Sequence, residues 1–150
     1  MMTQSQIRAR YGLGIWGLVA AAFGLVFFLG GGADTYADDS IRMLVAAVIL
    51  AAGYIGYLSM LYLTREKSNG KALIRDERDL EIARQANGIA LVAVLVFVFV
   101  VCIALFLGYE TAGILPVGWM WFLAYATACF GLLAQAFATL ALHREMSGNG

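Results

Sequence analysis

Four long apolar stretches decide what this chain can fold into. They cover approximately residues 13–29, 41–63, 88–107 and 117–142. A bilayer core of about 30 Å needs roughly 20 apolar residues per helical span, and each stretch is close to that length. Because 62% of the residues are hydrophobic and only 13% are charged, the chain lacks the composition of a water-soluble domain. We therefore predict an all-α integral membrane protein, with residues 1–150 forming one transmembrane domain.

Basic residues are unevenly distributed among the connecting segments. Nine of the ten Lys and Arg residues lie before the first span, between the second and third, or after the fourth, and only Arg42 lies on the other side. Cytoplasmic segments carry such an excess of positive charge. We expect an N-in/C-in, multi-pass protein of the bacterial inner membrane, with segment 64–86 in the cytoplasm. Because short connections favour adjacent antiparallel helices, an up-down four-helix bundle is predicted.

Small residues recur at spacings of three and four in three of the spans, which is typical of helices that approach each other closely in lipid. The residues are Gly17, Ala21 and Gly24 in the first span, Ala52, Gly56 and Ser59 in the second, and Thr127, Gly131, Ala134, Ala138 and Ala141 in the fourth. This pattern predicts packing surfaces and has no functional meaning of its own.

Chemically active side chains are scarce inside the four stretches, which contain no Asp, Glu, Lys, Arg or His apart from Arg42 at the border of the second. Intramembrane ionisable residues normally mark proton or ion paths, so their scarcity argues against proton-coupled transport. Gln135 and Asn87 are the notable polar residues, and they suit either an interhelical hydrogen bond or contact with a headgroup or small ligand. Tyr57 would be positioned to line such a pocket.

The sequence gives no sign of an active site, a metal site or a cofactor site. Cys102 and Cys129 both lie within spans and have no nearby histidine, acid or second cysteine to complete a metal site. His143, the single histidine, follows the fourth span beside Arg144, where we expect a solvated boundary residue. No nucleophile-elbow or phosphate-loop motif occurs. We predict that the protein is not an enzyme, binds no cofactor or metal, and makes no direct contact with nucleic acid.

The sequence KALIRDERDLEIARQAN, residues 71–87, places a dense group of charges directly before the third span. It contains no proline and follows the turn-forming residues 68–70, so we expect a helix that continues into the span as one rod. Arg75 with Asp79, Arg78 with Glu81, and Glu81 with Arg84 are spaced to form ion pairs. Three interpretations compete: a solvated helix with salt bridges in the bundle or across a homodimer, a docking site for a cytosolic protein, and a carboxylate metal site, which the interleaved arginines disfavour.

The motif IRDERDLEI, residues 74–82, directly before a hydrophobic helix resembles a group of largely uncharacterised four-span membrane proteins of bacteria and archaea. These proteins carry an Asp-Glu-Arg-Asp signature at the same place. The resemblance covers residues 74–107 by motif and the remainder by topology alone. Genes of this group often neighbour small helix-turn-helix regulators, which implies a membrane partner that holds or releases a transcription factor. The implied contact residues are Asp76, Glu77, Arg78 and Asp79.

The preferred hypothesis is a non-enzymatic membrane regulator or sensor that docks a cytosolic protein, of the small DNA-binding class, through segment 64–86. An acidic surface suits such a partner, whose DNA-facing side is basic. The docking residues proposed from the sequence are Arg75, Asp76, Glu77, Arg78, Asp79 and Glu81. The alternative is a lipid- or small-molecule-binding protein or transporter whose cavity lies near Gln135 and Tyr57. Homodimer formation is left open by both hypotheses.

Overall fold

Five helices make up the described part of the chain. The computed structural model describes residues 4–64 and 77–148, with the side chains of residues 5–64 and 80–145. The helices are α1 (Gln4–Leu29), α2 (Ala33–Tyr36), α3 (Ser40–Leu63), α4 (Glu77–Tyr109) and α5 (Gly118–Gly148). These two ranges contain no strand, and the all-α prediction is confirmed.

Four of these helices are long and apolar enough to cross a membrane, over Ser5–Leu29, Ser40–Leu63, Leu80–Tyr109 and Gly118–Glu145. The predicted second span agrees with α3 to within one residue. Helices α1 and α4 begin well before their apolar stretches, because good helix formers precede these stretches and extend the helix into polar sequence. Pro116 lies two residues before α5, and its carbonyl accepts a hydrogen bond from the Trp119 N–H at 3.1 Å.

The connection from α1 to α3 depends on glycine and on an aspartate cap. Gly31 and Gly32 adopt φ values of 104° and 70°, and the Gly32 N–H donates to the Phe27 carbonyl at 3.2 Å. Glycine is the residue that most readily adopts this left-handed conformation at the end of a helix. Asp39 then caps α3, because its Oδ1 accepts hydrogen bonds from the backbone N–H groups of Ile41 and Arg42, both at 3.1 Å. Such caps satisfy amides that the helix itself leaves unpaired.

The long helices pack in the order α3, α1, α5, α4, with α1 and α5 in the middle. The contacts join the start of α1 to the end of α3 (Arg8 to Thr64) and the end of α4 to the start of α5 (Tyr109 to Trp119), so these packed neighbours run in opposite directions. The helices joined by the short connections, α1 with α3 and α4 with α5, therefore pack together, whereas α3 and α4 form no extended contact within the described residues and occupy the two outer positions.

Two ends of the molecule are distinguished below. The charged end is where α1 and α4 begin and α3 and α5 end, and it includes Ser5, Thr64 and His143. The aromatic end is the opposite one, where Phe23, Phe27 and Tyr36 are buried against Trp119, Phe122 and Tyr125 of α5. Ring pairs there include Phe23 with Tyr125, whose centroids lie 5.0 Å apart, and Phe27 with Phe122, at 4.8 Å.

The small-residue stripes have different outcomes in different helices. In α5 the stripe faces α4, since a Cβ at Gly131 would lie 3.3 Å from Val94 and Ala138 is buried. In α1 and α3 the glycines of the predicted stripes are not at a close helix contact, because nothing lies within 4 Å of a Cβ built at Gly17, Gly24 or Gly56. The close approach of α1 and α3 occurs instead at Gly53, where a Cβ would lie 2.6 Å from Val19.

Candidate functional site

The charged segment and the third span belong to one helix in the described part of the chain. Helix α4 runs without interruption from Glu77 to Tyr109, 33 residues, which is about 50 Å at 1.5 Å per residue. An apolar core of about 30 Å accounts for only part of that length. The expected continuity is therefore observed from Glu77 onward, while residues 71–76 of the predicted helix lie outside the described residues.

The charged start of α4 has one buried face and one exposed face. Ile82, Ala86 and Ala90 are buried, and α5 is the only long helix that packs along α4 in the described chain. Glu81, Arg84 and Gln85 point away from that contact and are exposed. The spacing of four between the buried residues keeps them on one side of the helix. Packing on α5 thus holds this segment in a defined orientation and leaves its charges available.

The predicted docking residues are only partly visible. Arg75 and Asp76 lie outside the described residues, and Glu77, Arg78 and Asp79 form the first turn of α4 without described side chains. Glu81 is described, and its Oε1 accepts a hydrogen bond from Gln85 Nε2 at 2.9 Å. The Glu81–Arg84 ion pair that the spacing suggested is not formed. At this position a neutral amide one turn further along α4 satisfies one carboxylate oxygen instead.

The three polar residues assigned to a ligand pocket or an interhelical contact occupy two different interfaces. Gln135 Nε2 of α5 donates a hydrogen bond to Asn87 Oδ1 of α4 at 2.7 Å. Tyr57 lies on α3 and packs against Trp16 of α1, with ring centroids 6.0 Å apart. Gln135 and Asn87 therefore meet each other directly, and Tyr57 contacts neither of them through any described hydrogen bond or ring contact.

Two further contacts join helices at the charged end. Arg8 of α1 donates from Nη2 to the carbonyl of Thr64 at 2.7 Å and from Nε to its hydroxyl at 3.0 Å. A cation at the end of α3 is favourable, because the terminal carbonyls are unpaired and carry partial negative charge. His143 is not the solvated boundary residue that we expected. Its side chain is buried, and its Nε2 lies 2.8 Å from the hydroxyl oxygen of Ser5 in α1.

Arg42 is the centre of a polar cluster at the aromatic end. Its Nη1 donates to Thr35 Oγ1 at 2.9 Å, its Nη2 donates to the Phe27 carbonyl at 3.1 Å, and its guanidinium lies 5.5 Å from the centroid of the Tyr36 ring. A Cβ on Gly30 would collide with this guanidinium. Arg42 therefore links the end of α1, the short helix α2 and the start of α3, and the bare backbone of Gly30 makes room for it.

Tyr36 is buried beneath this arginine. Its side chain has no exposed surface, and its hydroxyl has no hydrogen-bond partner. Burial, and then the neighbouring Tyr125, raise the pKa of Tyr36 above 10.0, while Arg42 acts in the opposite direction. Desolvation disfavours the phenolate, which is why the burial effect has this sign.

The described residues offer no sign of metal chemistry, since no three His, Cys, Asp or Glu side chains within them are grouped to hold an ion. The chain was also compared with protein-family models, curated proteins and solved structures. It matches none of them. The functional argument therefore depends on the contacts of this chain alone.

Sequence reasoning did not identify the Arg42 cluster or the Ser5–His143 contact. Arg42 offered a signal, because it is the single basic residue on its side of the predicted membrane and lies next to a glycine run and an aspartate cap. Ser5 and His143 offered none, since they are separated by 138 positions. Their proximity follows from the packing of α1 on α5.

Proposed function

We propose that this protein is a non-enzymatic regulator of the bacterial inner membrane that docks a cytosolic protein on the charged start of α4. Its four long helices would cross the membrane in an up-down, N-in/C-in arrangement, with the charged end in the cytoplasm. The observation that carries the proposal is the continuity of α4 from Glu77 to Tyr109, combined with the exposure of Glu81 and Arg84 on its first turns.

A docking helix that continues into a membrane span can couple the two environments mechanically. Ile82 and Ala86 are buried in the α4–α5 interface, and Asn87, the residue after Ala86, is hydrogen-bonded to Gln135 of α5. A shift or rotation of α4 against α5 would therefore move the exposed charges as one body. Rigid helix shifts of this kind are a common form of switching.

The class of partner rests on the charge of the segment. Residues 76–81 contain four acids and one arginine, and anionic lipid headgroups would disfavour this acidity close to the membrane. A basic protein surface would stabilise it. A small helix-turn-helix regulator has such a surface, and it is also the partner that the resemblance of the IRDERDLEI motif implies.

The alternative, a lipid- or small-molecule-binding protein or transporter, has less support from the geometry. Its two defining residues, Gln135 and Tyr57, lie at the α4–α5 and α1–α3 interfaces, respectively. The amide of Gln135 is already hydrogen-bonded to Asn87. No contact among the described residues brings the two side chains to one cavity.

The test is co-purification of tagged protein from its native membrane, followed by mass spectrometry. The test variant is Asp76→Asn/Glu77→Gln/Asp79→Asn, which removes three negative charges without adding Lys or Arg, so the charge bias that orients the protein is kept. The matched control is Asp34→Asn/Asp38→Asn/Glu110→Gln, which makes the same change at exposed acids of the aromatic end.

We expect a soluble cytosolic protein to co-purify with the wild type and the control, and to be reduced at least tenfold with the test variant. Loss from both variants, or retention by both, would contradict docking through Asp76, Glu77 and Asp79. Recovery of the same lipid or small molecule with all three proteins, without a protein partner, would favour the alternative function.

A further inference from the structure

Helix α4 has a complete side that no part of the described chain covers. It occupies one outer position in the helix row and packs along α5 alone among the long helices. On the opposite side, Glu81, Arg84, Gly88, Leu91 and Leu95 are all exposed. At 100° per residue these five positions fall within an arc of about 80°. They form the outer face of α4, and they alternate by three and four residues as the contact positions of paired helices do.

The outer face changes character along its length. Leu91 and Leu95 would be well accommodated by lipid acyl chains, but Glu81 and Arg84 of the same face carry opposite charges and do not pair with each other. Gly88 lies between the two parts, and a Cβ built there would meet nothing within 4 Å. A glycine at this point allows another helix backbone to approach closely.

The charges of the outer face are complementary to those of an identical face. Copies of a membrane protein share one orientation in the bilayer, so two α4 helices related by a twofold axis along the membrane normal run parallel. Glu81 and Arg84 differ in height by about 4.5 Å, which an arginine side chain easily spans. Glu81 of each copy can therefore reach Arg84 of the other, giving two equivalent ion pairs in an isologous contact.

We propose that the outer face of α4 is a homodimer interface, with Gly88 at the helix crossing, Leu91 and Leu95 packed against their counterparts, and reciprocal Glu81–Arg84 pairs at the charged end. A lipid surface explains the leucines, whereas a second copy also provides an ion-pair partner for each of the two charges. The other outer helix, α3, offers no similar match, since its one charged residue, Arg42, is engaged in the cluster at the aromatic end. The inference does not depend on the docking function; in the dimer Glu81 and Arg84 face the other copy, so docking would use the acids within residues 76–79 that the docking test replaces.

The interface is tested by disulfide cross-linking of purified protein in phosphatidylethanolamine/phosphatidylglycerol vesicles. Cys102 is exposed and is replaced by Ser, while buried Cys129 is kept. Leu95→Cys then reports on the proposed interface, and Leu58→Cys on α3 is the matched control. The two leucines are 62% and 60% exposed, so their access to the oxidant is comparable.

We expect copper phenanthroline to convert Leu95→Cys to a covalent dimer at least tenfold faster than Leu58→Cys, since a disulfide requires Cβ atoms about 3.5–4.5 Å apart. Equal rates would mean random collision, and absence of dimer from both would mean that lipid covers this face. Either result would overturn the proposal.

A charge swap gives a second, independent readout in the same vesicles. Glu81→Arg places like charges across the interface and should slow cross-linking through Leu95→Cys at least fivefold, whereas Glu81→Arg/Arg84→Glu should restore it. A double variant as slow as the single one, or a single variant that cross-links normally, would exclude the reciprocal pairs. Because no cytosolic protein is present, these outcomes are independent of any failure to dock a partner.

Discussion

The amide of Gln135 donates a hydrogen bond to the amide oxygen of Asn87 across the α4–α5 interface, with 2.7 Å between Nε2 and Oδ1. Asn87 lies ten residues after the start of α4 and Gln135 lies in the middle of α5, and both lie next to strongly apolar sequence. The contact therefore has two consequences. It pairs polar groups that hydrocarbon would leave unsatisfied, and it sets the position of α4 along α5, and hence the position of the charged first turns of α4.

The strength of this hydrogen bond can be measured with a double-mutant cycle of Gln135→Met and Asn87→Leu. Interhelical hydrogen bonds in membranes contribute about 1 kcal/mol or less, so we expect a coupling free energy of about 0.6 kcal/mol in SDS unfolding from mixed micelles. The loss of stability in the double variant should therefore be smaller than the sum of the losses in the two single variants. Additive effects would show that the two amides do not interact.

Gly53 and Gly56 lie three residues apart on α3 and should respond oppositely to alanine. A Cβ at Gly53 would lie 2.6 Å from Val19, whereas Gly56 has nothing within 4 Å. Gly53→Ala should reduce the free energy of unfolding by about 1–3 kcal/mol through overpacking. Gly56→Ala should be neutral or stabilising by up to about 1 kcal/mol, because alanine favours the helix. Thermal unfolding in detergent compares the two, and equal losses would contradict the observed α1–α3 contact.

Gly30→Ala should act through Arg42, whose guanidinium lies where the new methyl group would be. We expect a loss of about 1–3 kcal/mol in the wild type and a much smaller loss when Arg42→Met is already present. Thermal unfolding measures the effect of Gly30→Ala in both backgrounds, and the difference between the two effects is the coupling energy of Gly30 and Arg42. A full loss in the Arg42→Met background would mean that Gly30 is needed for backbone reasons alone.

Two tyrosine hydroxyls at the aromatic end have opposite environments. The Tyr36 hydroxyl is buried without a partner, while the Tyr109 hydroxyl accepts a hydrogen bond from Trp119 Nε1 at 2.8 Å. A buried unsatisfied polar group costs about 1–3 kcal/mol. Tyr36→Phe should therefore be stabilising, and Tyr109→Phe should be destabilising by about 1 kcal/mol. Chemical unfolding in micelles decides the matter, and destabilisation by Tyr36→Phe would reveal a partner for its hydroxyl.

Tyr36 should also make stability depend on alkaline pH. Burial raises its pKa above the ordinary value of 10.0, so the unfolded chain releases the phenolic proton more easily than the folded protein does. The corresponding stability is complete below pH 10.0 and is lost as the pH rises through the folded-state pKa. The melting temperature of the wild type should fall more steeply than that of Tyr36→Phe between pH 9 and pH 11. Parallel curves would exclude this contribution.

The four long helices were predictable because each apolar stretch is long enough to form a span and contains no proline. Their ends were less predictable. Hydropathy marks the segment that prefers lipid, whereas a helix ends where its amides find other partners, as at Asp39 for α3 and Gly32 for α1.

The candidate site was predictable only in part. The charge density of residues 71–84 is visible in the sequence, and so is the interest of Gln135 and Asn87. Helical periodicity shows which residues share a face with Glu81, but only the contact between α4 and α5 shows that this face is exposed. The expected pair of Glu81 with Arg84 was wrong because Gln85 provides a hydrogen bond one turn away.

Composition and pattern thus specified the solvent, the number of long helices and the location of the charged segment, because these properties are local and additive along the chain. Tertiary structure alone decided three features: the packing order α3, α1, α5, α4, the burial of His143, and the position of the Arg42 guanidinium against Gly30. In lipid, all apolar helix faces are nearly equivalent to the solvent, so the choice of neighbour depends on shape fit and a few hydrogen bonds. Those depend on pairs of residues that are far apart in the chain.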